Sequence, residues 1–368
     1  MDTFPGKLAI EQRVLPTYRV PFFDALAQQC TGGLELFAGQ PRVSEAIDTA
    51  DQLNTGKLIH ARNIHLLGGM FYFCLQPGFT SWLNRSNPDA LIIEANPRYL
   101  STPAAIRWMR EHHRPVIGWG LGAPPLKGLD VVLREKFRQT FLSQLDAVIS
   151  YSQNGAEEYA ACGVPVSRIY VAQNSAAFKP TGDPPERPLA WIGKPRLLFI
   201  GRLQARKRLD LLFKACAALP LELQPDLTVV GDGPDKAGIE SSAGVHYPAT
   251  VFAGAKTGKE LEPYFHWADL FVLPGTGGLA VQHALAYALP VVVGEGDGTQ
   301  SQLVRPENGW QVAPGSLEEL ISTLKTALAD PARLRRMGRE SFRIARDEVN
   351  IEKMVETFIR AANVVVNK

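Results

Sequence analysis

Leu197-Leu198-Phe199-Ile200-Gly201-Arg202-Leu203-Gln204-Ala205-Arg206-Lys207-Arg208 passes from an apolar strand through a glycine into a basic turn. Arg196–Ile200 reads as a buried strand. Arg208–Leu219 reads as a helix with Leu209, Leu212, Phe213, Cys216 and Ala217 on one face, at steps of three and four. Gly201 lets the chain turn and approach a ligand closely. Arg202 can fork onto phosphate oxygens, Lys207 adds a point charge, and helix N-terminal amides favour the same anion. A solvated basic helix start would have the same composition. Three arginines and a lysine at a helix N-terminus, however, oppose the macrodipole's preference for acids, which points to an anionic ligand.

Outward from this unit the same alternation continues. Leu227–Val230, Val251–Ala253, Leu270–Leu273 and Pro290–Val293 read as strands, and the chain from Ser316 onward as helix. Upstream, Leu34–Phe37, Ala90–Ile93, Val116–Trp119 and Ala147–Ser150 read as strands, with Pro103–His112 and Glu135–Leu145 as helices between them. Pro180, Pro184, Pro185, Pro188 and Pro195 interrupt the rhythm. The expected division is therefore an α/β domain at 1–178, a proline-rich linker at 179–195 and a second α/β domain at 196–368. Both are doubly wound, Rossmann-like sheets, expected to face each other across a cleft, with C-terminal helices that could cross back to the first. Ligands of such sheets bind beyond the carboxyl ends of the strands.

The 368 residues exceed what one core usually supports. Hydrophobic residues at 45% and charged residues at 21% are globular proportions, and a net charge of +2 supplies no field for a nucleic-acid backbone. No apolar run reaches membrane-spanning length, and Met1-Asp2-Thr3-Phe4-Pro5 is unlike a secretory signal. Cys30, Cys74, Cys162 and Cys216 stand far apart, without metal-ligand spacing, as buried thiols of a reducing compartment would. A cytoplasmic location is expected.

A second turn, Leu273-Pro274-Gly275-Thr276-Gly277-Gly278, leads into Leu279–Leu289. Its three glycines before a helix let backbone amides and the helix dipole meet a phosphate, although without GKS or GKT it is not a P-loop. His283 lies about one turn further on, a catalyst or a satisfied buried histidine on equal grounds. Gly294-Glu295-Gly296-Asp297-Gly298 misses dinucleotide spacing and is discounted.

Taken together these pieces resemble the donor-binding domain of glycosyltransferase family 4, retaining enzymes of the GT-B architecture. In family order come Gly201-Arg202-Leu203 with Lys207; Val230-Gly231-Asp232-Gly233-Pro234; Val251-Phe252-Ala253-Gly254; and Ala268-Asp269-Leu270-Phe271-Val272-Leu273-Pro274. The glycine loop, His283-Ala284-Leu285-Ala286 with Leu289-Pro290-Val291-Val292, and Glu307-Asn308-Gly309-Trp310 follow. The first half is similar over Asp146–Ser152, Gly163-Val164-Pro165, Ile169-Tyr170-Val171 and Asn174.

The resemblance implies that Arg202 and Lys207 bind a donor diphosphate, with Gly201 at the turn and the amides of Gly277, Gly278 and Leu279 assisting. Two family glutamates are replaced, by Gly275 where the transferred sugar is contacted and by His283 where ribose is contacted, as in some bacterial polysaccharide-building members. The usual first-domain histidine is also missing near Gly120-Leu121-Gly122. Glu94 is the nearest titratable group expected at that edge: it could orient an acceptor hydroxyl or act as base, or pair structurally with Arg98 or backbone amides. Tyr18 and Arg19 are candidate acceptor contacts. Arg134, Lys136 and Arg138, beside Val131, Val132, Phe137 and Phe141, suggest either a core-facing helix with a solvated side or peripheral contact with the inner face of the cytoplasmic membrane.

The expected activity is hexosyl transfer from a nucleotide-diphosphate sugar, foremost a UDP-sugar, to a glycan or lipid-linked glycan. No metal is expected, since cations stand where Mg²⁺ would and no DxD follows a strand. A nucleotide-sugar 2-epimerase and a non-catalytic nucleotide-sugar binder remain alternatives.

Overall fold

The computed structural model describes residues 2–367 except 46, 70, 71, 127, 129 and 295–299, and leaves the side chains of 300 and 301 undescribed. The discounted segment Gly294–Gly298 thus falls largely outside the described residues. Two units emerge: 1–176 with 351–368, and 177–350.

The first unit is built on β1 (Leu8–Val14), β2 (Leu34–Gly39), β3 (Lys57–His60), β6 (Ala90–Glu94), β7 (Val116–Gly120), β8 (Ala147–Ser150) and β9 (Ile169–Val171). A separate hairpin joins β4 (Ile64–Leu66) and β5 (Phe73–Leu75). The large sheet is parallel, in the order β3-β2-β1-β6-β7-β8-β9. Both faces are covered, so its strands are continuously apolar. Leu8, Ile10, Ile92 and Ile149 pack on one face; Ala9, Leu91, Ile93 and Val148 pack on the other.

The second unit is a parallel sheet of β10 (Arg196–Ile200), β11 (Asp226–Val230), β12 (Val251–Gly254), β13 (Leu270–Leu273), β14 (Val291–Gly294) and β15 (Gly309–Val312). Its order is β12-β11-β10-β13-β14-β15. Strand direction of travel reverses between β10 and β13, the place where such sheets bind ligands.

Three boundaries differ from the sequence reading. The expected second domain, 196–368, gives up its last helix, Ile351–Val366, to the first unit. Phe358 stacks edge-on against Phe22 at 5.0 Å and Trp119 at 4.9 Å, and burying that ring is worth about 2 kcal/mol. The expected linker, 179–195, belongs to the second unit. Arg187 donates to the carbonyls of Phe265 (2.9 Å), Ala268 (2.8 Å), Tyr287 (3.1 Å) and Ala288 (3.2 Å), and Trp191 Nε1 to Leu328 O (3.1 Å). Prolines rule out regular structure there, yet side chains lash the segment down. The helix expected at 135–145 runs Val131–Leu142 instead. Its Phe141 is buried, whereas Val132, Leu133 and Phe137 face solvent at 84%, 70% and 59% exposure, so it is not a simple core-facing helix.

Candidate donor and acceptor sites

In the second unit the two turns that flank the reversal are tied together. After β10 the chain forms a short 3-10 turn, Ala205–Lys207, and Arg208 adopts a left-handed φ of 55° before the helix Leu209–Ala218 begins. The basic residues therefore precede the α-helix rather than occupying its first turn. Arg208 closes on Asp210 at 3.2 Å, which removes the expected conflict with the macrodipole. Arg202 sits half-buried just past β10.

Lys207 is buried, and its Nζ donates to the Thr276 carbonyl at 2.6 Å. Burial, and then the charge of Arg206, bring its ammonium down to about 8, so at neutral pH it is still mostly a cation. Arg206 carries the second tie: its carbonyl accepts from Thr276 N at 3.2 Å, and its Nη1 donates to Thr276 Oγ1 at 3.3 Å. Gly277 has φ 99°, and a Cβ there would stand 2.6 Å from Lys207 Nζ. At Gly275 a Cβ would collide with the Arg206 carbonyl oxygen and the Lys207 backbone. A side chain at Gly275 is thus excluded by the neighbouring turn, a constraint no local pattern reveals. From the other side Asp235 Oδ2 accepts from Ala205 N at 2.7 Å, and Leu203 N donates to Asp232 O at 2.9 Å. Asp235, just past Gly233-Pro234, was not singled out by sequence.

Gly278 caps the helix Leu279–Ala286, which carries His283. The imidazole is partly buried near Phe265, ring centroids 6.3 Å apart, and makes no hydrogen bond among the described residues. Burial lowers its pKa, keeping it neutral, with one nitrogen free to donate and one to accept.

In the first unit the reversal lies between β1 and β6. Glu94 ends β6: its Oε1 accepts from Arg13 N and its Oε2 from Tyr99 OH, both at 2.7 Å. Arg98 is not its partner; that backbone N–H goes to Asn96 Oδ1. Burial raises the Glu94 carboxyl against the pull of these two donors. Arg19 is buried rather than edge-lining, its guanidinium lying over Trp119 at 5.2 Å and Tyr151 at 5.3 Å, with Met354 Sδ at 3.9 Å. Tyr18 remains exposed at 47%. Sequence reading missed Glu11, fully buried on β1 beside Glu94, because a glutamate inside an apolar strand has no motif of its own.

The family described as "Glycosyl transferases group 1" matches residues 194–330, the span that carries both turns. Residues 194–330 form a group 1 glycosyl transferase domain. A GDP-mannose-dependent alpha-mannosyltransferase of Mycobacterium tuberculosis is 34% identical over 132 residues, which are 35% of this chain and 33% of that protein. This chain therefore matches about a third of that relative's length. A GDP-mannose-dependent alpha-(1-6)-phosphatidylinositol monomannoside mannosyltransferase of Mycolicibacterium smegmatis is 25% identical over 279 residues, covering 70% of this chain and 69% of the relative. Among solved structures, Anabaena HepE in complex with UDP and glucose superposes with a TM-score of 0.67 or below across its forms, here 0.66 at 16% identity, over 97% of this chain and 99% of that one. That likeness extends the assignment from the group 1 domain to the fold of both units, the GT-B architecture. Among the described residues, no helix is long and apolar enough to cross a membrane.

Proposed function

We propose that the protein transfers a hexose from a nucleotide-diphosphate sugar to a glycan or lipid-linked glycan, with retention and without a metal ion. The observation that carries this reading is the junction of Lys207 with the glycine loop at the strand reversal, inside the group 1 domain. The acceptor oxygen bonds to the anomeric carbon on the face the donor leaves. The bond from that carbon to the diphosphate oxygen breaks, and its electron pair stays on the diphosphate. Arg202, Lys207 and the amides of Gly277, Gly278 and Leu279 meet the growing charge. The acceptor proton passes to a departing phosphate oxygen, while Glu94 orients the acceptor hydroxyl and His283 bonds the donor ribose.

The two named relatives are GDP-mannose-dependent and the Anabaena protein was solved with UDP, which supports guanine and uracil as the first bases to test. Incubation with UDP-glucose and with GDP-mannose in EDTA, with methyl hexosides and lipid-linked glycans as acceptors, should release the nucleoside diphosphate and form glycoside with one donor. Turnover that needs added Mg²⁺ or Mn²⁺ would refute metal independence. Isotope exchange at sugar C2 would indicate an epimerase, and ligand-induced thermal stabilisation without turnover a binder.

The exposed Val132, Leu133 and Phe137, with Lys136 exposed beside them, favour peripheral contact with an anionic membrane face, whereas Arg138 is turned to the Ala123 and Pro124 carbonyls. The protein should sediment with anionic liposomes more than with neutral ones, and Leu133→Ser with Phe137→Ser should abolish the difference. Equal sedimentation of the unaltered protein with both liposomes would remove this proposal.

A further inference from the structure

We propose that Glu11 holds the single proton of a two-carboxyl unit, keeping Glu94 as the anion that the first unit presents to an acceptor hydroxyl. The inference rests on the reading of Glu94 as an acceptor contact, and makes Glu11 a positioning residue for it.

The two carboxyls stand on neighbouring strands at the reversal of the first sheet, in unlike surroundings. Glu94 receives two donors, Arg13 N and Tyr99 OH. Glu11 is fully buried; its Oε2 accepts only the Glu94 backbone N–H, at 3.2 Å, and its Oε1 has no hydrogen-bond partner. Other buried acids are better matched. Asp24 accepts from Asn54 N, Asn54 Nδ2 and Thr55 N; Glu35 meets Lys7 and Trp82; Asp269 meets Arg196 and Arg335. Of two carboxyls on adjacent strands, only Glu11 is fully withdrawn from water, so ionising it beside an ionised Glu94 is disfavoured, and the charge settles where donors already point.

The surrounding groups agree. Burial first, then the charge of Glu94, pushes the Glu11 carboxyl well up. Burial raises Glu94 too, but there the charges of Arg13 and Arg19 oppose the rise and favour its ionised form. Arg13 is itself engaged by Glu45 at 2.7 Å, so it offers Glu11 no dedicated partner. Tyr99, Tyr151 and Cys74 are all pushed up by burial and stay neutral. A carboxyl this isolated is protonated at neutral pH, and its neutrality spares Glu94 a second negative charge.

Infrared spectra of the full chain in D₂O at neutral pH test the assignment. The unaltered protein should show the carbonyl stretch of a protonated carboxyl; Glu11→Gln should lose it, and Glu94→Gln should keep it. A missing band in the unaltered protein, or one that survives Glu11→Gln, overturns the proposal. Unfolding gives a second readout. With its folded pKa raised, Glu11 binds its proton more tightly folded than unfolded, so it subtracts stability as pH climbs from about 4.3 towards the folded value. The melting temperature of Glu11→Gln minus that of the unaltered protein should therefore be larger at pH 7 than at pH 4; the opposite trend contradicts the proposal. If Glu11→Gln does not fold, the band in Glu94→Gln decides: its presence supports the assignment and its absence overturns it. The acceptor role fails separately if Glu94→Gln keeps the unaltered acceptor KM while Glu11→Gln still lacks the band.

Discussion

At the residue scale, His283 and Lys207 show how position turns an ordinary side chain into a candidate ligand contact. His283 has one ring nitrogen to donate and one to accept, and no described partner for either. As a donor contact, its replacement by Ala should weaken donor binding with near-native stability, and Gln should lose less. A buried structural histidine would instead cost about 1–3 kcal/mol of unfolding free energy with donor affinity unchanged. Calorimetry paired with urea unfolding separates the two. The position was legible in sequence because it falls five residues after Gly278 in a helix whose start is marked by glycines. Glu11 was not legible, since its meaning depends on a residue 83 positions away.

At the scale of elements, the glycine loop and the basic turn act as one piece. Sequence placed each after its strand, because apolar runs and glycines are local signals. It could not show that the Arg206 carbonyl fills the space a Gly275 side chain would need. Gly275 thus reads as a steric requirement of this turn pair. Gly275→Glu should cost roughly 1–3 kcal/mol by overpacking and weaken diphosphate binding. Unchanged stability with a gain of transfer would show that the turns can separate. The proline-rich segment teaches the converse: its composition excluded helix and strand, while the four guanidinium bonds of Arg187 that fix it lie in tertiary contacts.

At the scale of the whole molecule, two parallel sheets were legible from the spacing of short apolar runs and the break between them, although β1, beside which the first sheet reverses, was not among the strands read. The return of the last helix to the first unit was foreseen only as an option, since its apolar stripe does not state which sheet it covers. Phe22, Trp119 and Phe358 decide it. Everything proposed about donor chemistry depends on one property of the second unit, a cationic turn that meets a diphosphate. The most direct measurement is calorimetric titration of UDP, GDP and their nucleosides into the unaltered protein, Arg202→Ala and Lys207→Ala. Charge-assisted bonds of about 1.5–3 kcal/mol predict a loss of roughly 10- to 150-fold in diphosphate affinity for each variant, with nucleoside binding little changed. Diphosphate affinity unaltered in both variants would contradict the account.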